Sequence, residues 1–223
     1  MKENVLALLV LLSLLVGTVP PVQQNSVTVS VPAVDSEGNG AVVNLTVDLV
    51  PGKGRVLANI DRILFWTDTQ HSIQIAKSVA ENLTGVRLDS YDLIYTIQTN
   101  ASVVGGPSAG AAITVATIAA IENRTLKPGV LITGTINPDG TIGEVGGIYQ
   151  KAEAVKRSGG SVLLVPKGQG TEVKYVPVER CTETENLIFC ETTYKRKVVD
   201  ISEEVGIKVI EVSNITEALK YMF

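Results

Sequence analysis

Apolar and polar residues alternate strictly in two stretches near the start of the chain. The first stretch contains Val27, Val29 and Val31, and the second runs from Ala41 to Leu49. Alternation with a period of two is typical of β-strands that bury only one face. Turn-forming residues fill positions 35–40 between the two stretches. The pattern therefore predicts a β-hairpin.

Further along the chain, the apolar positions change to helical spacing. They recur every third or fourth residue between Gln70 and Leu83, which predicts a helix capped by Asp68 or Thr69. The uncharged stretch from Ser108 to Ile121 predicts a helix that is buried on most sides. Composition and turn signals predict strands at 63–66, 91–98, 130–136, 141–145, 161–166 and 207–212, and helices at 148–158, from 200 and from 214. This alternation after residue 60 favours an α/β or α+β domain.

The N-terminal 22 residues have a composition of their own. The twelve residues Val5–Val16 are almost all Leu and Val, and none is charged. Twelve residues match the apolar part of a signal peptide and fall short of the roughly 20 that a membrane span needs. We therefore expect residues 1–22 to be a signal peptide or an anchor that associates with a membrane through residues 5–22. A buried core helix is the third interpretation.

Composition and charge restrict the function of the remaining residues, 23–223, which we expect to form one domain. Hydrophobic residues make up 45% of the chain and charged residues 19%, as in globular proteins. The net charge is −4, and the longest basic run is the short Lys195-Arg196-Lys197, so no nucleic-acid partner is expected. The single histidine, His71, argues against a metal site and against a Ser-His-acid triad.

Two features predict a location outside the cytosol, either secreted or anchored to a membrane. The two cysteines, Cys181 and Cys190, flank a short segment, and their spacing suits a disulfide that pins a hairpin. Two reduced thiols are the alternative. The chain also contains five Asn-x-Ser/Thr acceptor motifs for glycosylation. They begin at Asn44, Asn82, Asn100, Asn123 and Asn214.

Candidate chemistry lies in the stretch Gly105-Gly106-Pro107-Ser108-Ala109-Gly110, between a strand-like run and the uncharged helix. Lys151 follows Gly146-Gly147 at the start of another predicted helix. A serine hydroxyl becomes a good nucleophile when a base removes its proton. Burial and a helix N-terminus both disfavour an ammonium group, so a lysine there can be that base. From the residues alone, a helix-capping serine and a surface lysine explain the pattern equally well.

A family resemblance favours the catalytic interpretation. Residues 91–165 resemble the proteolytic domain of the Lon proteases. Three blocks carry the resemblance: Ser90-Tyr91-Asp92-Leu93 followed by Gly106-Pro107-Ser108-Ala109-Gly110, then Thr133-Gly134-Thr135-Ile136 through Gly140, then Gly146-Gly147-Ile148-Tyr149-Gln150-Lys151. The last strand and helix of the chain also fit the family.

The resemblance implies a serine endopeptidase with a Ser–Lys dyad that acts on polypeptides and needs no cofactor. Ser108 would be the nucleophile and Lys151 the general base, while Thr133 would orient the lysine. Backbone N–H groups of Gly105, Gly106 and Ser108 would form the oxyanion hole. The implied fold is related to domain 2 of a ribosomal small-subunit protein and to kinases of the galactokinase type. A homo-oligomeric ring is also implied.

The chain departs from the family pattern in three ways. Family members usually carry an acidic residue where Gly105 stands. No Gly-x-x-x-x-Gly-Lys-Ser/Thr loop of an ATPase occurs in the sequence, which predicts an ATP-independent peptidase for unfolded or exposed chains. The segment 168–197 is longer than the family pattern leads us to expect, and it is predicted to be an insertion. Two alternatives remain: a non-catalytic module for assembly or peptide binding, and a kinase-like phosphate binder.

Overall fold

The computed structural model describes residues 25–59, 64–65, 67–98, 103–104, 106–184 and 187–223. The predicted signal or anchor segment, Asn100 and Gly105 lie outside these ranges. Among the described residues, no helix is both long and apolar enough to cross a membrane.

The fold is mixed α/β, as the pattern of strands and helices predicts. Its helices are α1 (Thr67–Thr84), α2 (Gly110–Glu122), α3 (Ile148–Arg157), α4 (Ile201–Val205) and α5 (Ile215–Met222). Its strands are β1 (Asn25–Val34), β2 (Gly40–Pro51), β3 (Val56–Asn59), β4 (Leu64–Phe65), β5 (Tyr91–Gln98), β6 (Val103–Val104), β7 (Val130–Ile132), β8 (Thr135–Ile136), β9 (Ile142–Gly143), β10 (Val162–Pro166), β11 (Thr171–Thr184), β12 (Leu187–Asp200) and β13 (Lys208–Val212).

The first sheet has the strand order β1-β2-β5-β3. Strands β1 and β2 form the expected antiparallel hairpin, with Val29 opposite Leu45. Val43, Leu45, Val47 and Leu49 all point into the core, which confirms the face that the alternation predicts. Strand β3, which pairs in parallel with β5, was not predicted because its four residues are exposed and show no alternation.

The second sheet is parallel, with the strand order β13-β10-β7. Its central strand is buried on both faces: Leu164 belongs to the main core, whereas Leu163 and Val165 pack in a second cluster with α3 and α4. Helices on both sides of a parallel sheet explain why this strand is apolar throughout. The sheet thereby carries α3, the helix that contains Lys151.

Helix α2 lies in the main core. All residues from Gly110 to Ala120 are buried, which confirms the prediction from its uncharged sequence. Small residues allow α1 to pack closely against it. Helix α1 begins at Thr67, so neither Asp68 nor Thr69 is its cap, and Leu83, predicted to face the core, is 46% exposed.

The predicted insertion forms a long antiparallel ribbon, β11–β12, that we call the arm (residues 171–200). Its strands pair from Thr171 opposite Asp200 to Thr184 opposite Leu187. A disulfide joins Cys181 to Cys190, which are directly opposite each other. The helix α4 starts immediately after the arm, with the Asp200 carboxylate accepting a hydrogen bond from the Glu203 N–H.

Candidate active site

Ser108 lies in a short 3₁₀ turn, Pro107–Ala109, that leads directly into α2. It does not cap the helix: the N-cap position is Ala109, and no side chain bonds the first helical N–H groups there. The helix-capping role considered for Ser108 is therefore wrong, because its hydroxyl makes no capping hydrogen bond to α2. Helix α2 can begin close to β8 because Gly110 has no side chain, since a Cβ there would lie 2.7 Å from Ile136.

Gly106 gives the loop a conformation that other residues avoid. Its φ of 99° and ψ of 147° lie in a region that is almost restricted to glycine. A Cβ at this position would meet no atom within 4 Å, so backbone strain and not crowding requires glycine. Thr69 on α1 places its hydroxyl 3.5 Å from the Gly106 carbonyl. This contact was missed because Thr69 was interpreted only as a helix cap.

Residues 133 and 134 connect the Ser108 turn to the parallel sheet. A continuous strand was predicted for 130–136, but it is interrupted at Thr133 and Gly134. At this interruption, the Gly134 N–H donates to the Ser108 carbonyl at 2.9 Å, and the Gly134 carbonyl accepts from Ala111 at 3.0 Å. The Thr133 N–H still donates to the Leu164 carbonyl of β10 at 3.0 Å, whereas Gly134 leaves the strand pairing and holds the turn and the start of α2.

Lys151 lies in the first turn of α3, which begins after Gly147. Although lysine is usually a surface residue, Lys151 is only 2% exposed. Burial lowers the pKa of its amine from 10.5 to about 8. Desolvation is the sole cause of this shift, because an ammonium loses its hydration on burial. A useful fraction of the amine is therefore neutral near physiological pH.

A chain of two hydrogen bonds links Lys151 to the residue of the candidate nucleophile. The Lys151 Nζ donates to Thr133 Oγ1 at 3.1 Å, and the Thr133 hydroxyl donates to the Ser108 carbonyl at 3.3 Å. Thr133 is fully buried. The structure thus brings Ser108, Thr133 and Lys151 together from three separate elements, with Gly106 two residues before the serine.

An apolar recess opens beside Ser108. Its volume is about 30 Å³, enough for one or two water molecules or a small alkyl group. The apolar side chains that line it come mainly from the first sheet and α2: Val31, Ala33, Val43, Leu45, Ile97 and Ile113. The hairpin β1–β2 therefore helps to form the surroundings of the serine.

Asp92 belongs to the first block of the resemblance, but it serves the fold. Its carboxylate accepts hydrogen bonds from the backbone N–H groups of Lys53 and Arg55 and from the Arg55 guanidinium. The Arg55 side chain and the two N–H groups hold the pKa of this buried carboxyl well below its usual value. Gly52 packs directly against the carboxylate, which fixes the loop 52–55 onto β5.

The sequence of this domain matches a known family. The profile of the Lon protease (S16) C-terminal proteolytic domain matches residues 23–202. The chain belongs to this family, which confirms the resemblance that its three sequence blocks suggested. Membership supports a serine peptidase activity in general.

Curated relatives are Lon proteases from bacteria and archaea. The Lon protease of Vibrio parahaemolyticus is 27% identical over 150 residues, which cover 64% of this chain and 18% of the relative. The Lon protease of Phenylobacterium zucineum is 28% identical over 183 residues, covering 77% of this chain and 23% of the relative. The Archaeal Lon protease of Methanocaldococcus jannaschii is 26% identical over 170 residues, covering 68% and 26%. The chain thus spans about a fifth to a quarter of their lengths.

Proposed function

We propose that this chain is a serine endopeptidase in which Ser108 is the nucleophile and Lys151 is the general base. The observation that supports it most is the burial of the Lys151 amine one hydroxyl group away from the Ser108 residue. A neutral amine can accept the serine proton, and the ammonium that results can then protonate the leaving amine.

Each neighbouring group has a role in this reaction. The Ser108 oxygen attacks the peptide carbonyl and forms an acyl-enzyme, which water then hydrolyses. Thr133 positions Lys151, because its hydroxyl accepts a hydrogen bond from the amine. Backbone N–H groups of Gly106 and Ser108, together with that of Gly105 outside the described residues, stabilise the oxyanion. One such donor contributes about 3 kcal/mol to transition-state stabilisation.

The substrate we propose is an unfolded polypeptide or an exposed chain end, cleaved without ATP. These 223 residues contain no Gly-x-x-x-x-Gly-Lys-Ser/Thr loop with which they could themselves bind ATP. A location outside the cytosol is also proposed, and the Cys181–Cys190 disulfide supports it because such bonds persist in oxidising compartments. Intact-mass measurement of natively expressed protein, with and without reductant, tests the disulfide and the modification of the asparagine motifs.

The central experiment measures turnover of unfolded casein by the full chain and by variants. Ser108→Ala and Lys151→Met should each reduce turnover by at least about a thousandfold, since neither half of the dyad works alone. Ser161→Ala and Lys127→Met are matched controls on exposed residues and should retain activity. A fluorophosphonate probe should label Ser108 in the folded wild type. Full activity in either dyad variant would refute the mechanism, and a folded chain that neither cleaves casein nor reacts with the probe would favour a non-catalytic module.

A further inference from the structure

The arm contacts the body of the domain at its base. There, Val199 is buried, and Lys174 binds Glu204 and lies 3.6 Å above the ring of Tyr149. Strand pairing continues outward from this base to Thr184 and Leu187. At about 3.3 Å per residue, the two 14-residue strands form a ribbon about 45 Å long.

Alternation gives the ribbon two different faces. Lys174 and Val199 belong to the inward face, towards the body. The outward face carries apolar and aromatic side chains along most of the ribbon, interrupted by the Glu179–Thr192 pair, and its large hydrophobic members are between 41% and 68% exposed. These residues are Val173, Tyr175, Pro177, Tyr194, Val198 and Ile188, together with the Cys181–Cys190 disulfide.

An exposed stripe of this kind is unfavourable in water unless another molecule covers it. Contiguous apolar patches on soluble proteins usually mark interaction sites. A two-stranded ribbon is also only marginally stable without a surface to pack against. The disulfide stabilises the pairing of the strands, but it leaves the outward side chains exposed.

The charges on the outward face indicate which molecule covers it. Arg196 pairs with Tyr175 on the side nearer the base, and Glu179 pairs with Thr192 on the side nearer the turn. The Pro177–Tyr194 pair lies midway between them. A two-fold axis through this midpoint reverses the ribbon, so that a second copy presents its Glu179 towards Arg196 and its Tyr194 towards Tyr194. The surface is therefore complementary to itself.

We propose that the outward face of the arm is a docking surface for a second copy of this chain, with the two arms packed face to face and antiparallel. In this arrangement, Arg196 of one copy and Glu179 of the other are offset across the width of the ribbon by one strand spacing, about 5 Å. Their long side chains span this distance. At the ends of the two packed arms, Asp200 of one copy approaches Glu183 of the other. Packed sheets cross at about 30°, and the crossing separates the ends.

Parallel pairing of the arms is less favourable. It would place Glu179 opposite Thr192, so this carboxylate would lose hydration without gaining an opposite charge. Antiparallel pairing provides the counter-charge from Arg196. The charge arrangement therefore selects the direction as well as the partner.

The size of the surface predicts a weak dimer. A ribbon about 45 Å long and about 10 Å wide buries about 900 Å² in total when two copies pack. Stable interfaces usually bury about 1,200–2,000 Å², so association in the micromolar range is expected. This inference is independent of the proposed peptidase activity.

Sedimentation velocity of the full chain over a range of concentrations at low salt tests the proposal. Arg196→Glu and Glu179→Arg should each weaken the dimer by at least about tenfold, because each creates two like-charge contacts. An equimolar mixture of the two variants should dimerise again, because the mixed dimer has opposite charges at both contacts. Failure of the mixture to exceed either variant alone would overturn the proposed pairing.

A second pair of variants distinguishes the loss of an aromatic side chain on the outward face from the loss of one elsewhere on the arm. Tyr194→Thr should weaken the dimer, whereas Phe189→Thr should not. Phe189 is a matched control because it is 64% exposed, compared with 68% for Tyr194, but it belongs to the inward face near the turn. Circular dichroism checks that both variants fold. Equal effects of the two substitutions, a wild type that stays monomeric at about 100 μM, or a monomer that binds unfolded casein through Tyr194 would each overturn the proposal.

Discussion

Replacement of Lys151 by methionine should make the protein more stable while abolishing its proposed activity. Burial lowers the pKa of the amine from 10.5 to about 8. A shift of this size corresponds to a cost of about 3 kcal/mol for keeping the ammonium in the folded state near neutral pH. Methionine has a similar length and no charge. Its loss of the hydrogen bond to Thr133 costs about 1 kcal/mol, so a net gain of about 2 kcal/mol is expected.

The gain should depend on pH in a defined direction. Because the folded-state pKa lies below the unfolded-state pKa, the unfolded wild type binds more protons between about pH 8 and 10.5. Wild-type stability therefore rises with pH through this window, and the methionine variant lacks this contribution. Between about pH 7 and pH 9.5, the advantage of Lys151→Met should shrink by about 2 kcal/mol.

Urea unfolding followed by circular dichroism, with the disulfide kept oxidised, measures both effects. Lys127→Met is the control, since Lys127 is exposed and its replacement should not change the pH dependence. A stability difference between wild type and Lys151→Met that stays constant from neutral to alkaline pH would refute the argument that the amine is desolvated. A variant clearly less stable than wild type at neutral pH would refute it as well.

Four further outcomes are expected from the same structure. The kcat/KM for an unfolded substrate should rise with pH and level off above about 8, because neutral Lys151 is the active form. Thr133→Val should move this rise to lower pH and reduce kcat, because valine lacks the hydroxyl that accepts a hydrogen bond from the ammonium. Thr133→Ser keeps a hydroxyl and should behave like wild type. Gly106→Ala should destabilise the loop by about 1–3 kcal/mol and lower kcat, as its positive φ strains any other residue; Tm and kcat measure this, and an unchanged kcat would contradict it. Asp92→Asn should make the free energy of unfolding depend less on pH in acid. The reason is that the lowered pKa of Asp92 stabilises the folded state above about pH 4, and this stabilisation is lost as pH falls. An acid unfolding transition identical to that of the wild type would exclude this role.

Local patterns predicted the elements of the fold well. The alternation in β1 and β2 predicted the hairpin and its buried face, and the uncharged sequence of α2 predicted its burial. The start of α5 was also predicted, since Asn214 accepts from the Glu217 N–H and Glu217 accepts from the Ser213 N–H. These features depend on residues close together in sequence, so the sequence alone was sufficient.

Long-range contacts changed the predictions in other places. The strand predicted for 130–136 is interrupted at Thr133 and Gly134, because the Thr133 hydroxyl and the Gly134 N–H both donate to the Ser108 carbonyl, although the Thr133 N–H still donates to Leu164 of β10. The helix start was also misassigned at α1, where Thr69 contacts the Gly106 loop. Both competing contacts come from residues at least 25 positions away. Local propensity carries no information about them.

The sequence by itself determined the class of the domain, its family and the residue types that the chemistry requires. Only the tertiary structure decided that Lys151 is buried, that its pKa falls to about 8, and that Thr133 connects it to Ser108. It also decided that Tyr175 and Tyr194 lie on the outward face of the arm, whereas Phe189 lies on the inward face. The reason is physical: desolvation and hydrogen bonding depend on which distant segments surround a side chain, and that arrangement exists only after the chain has folded.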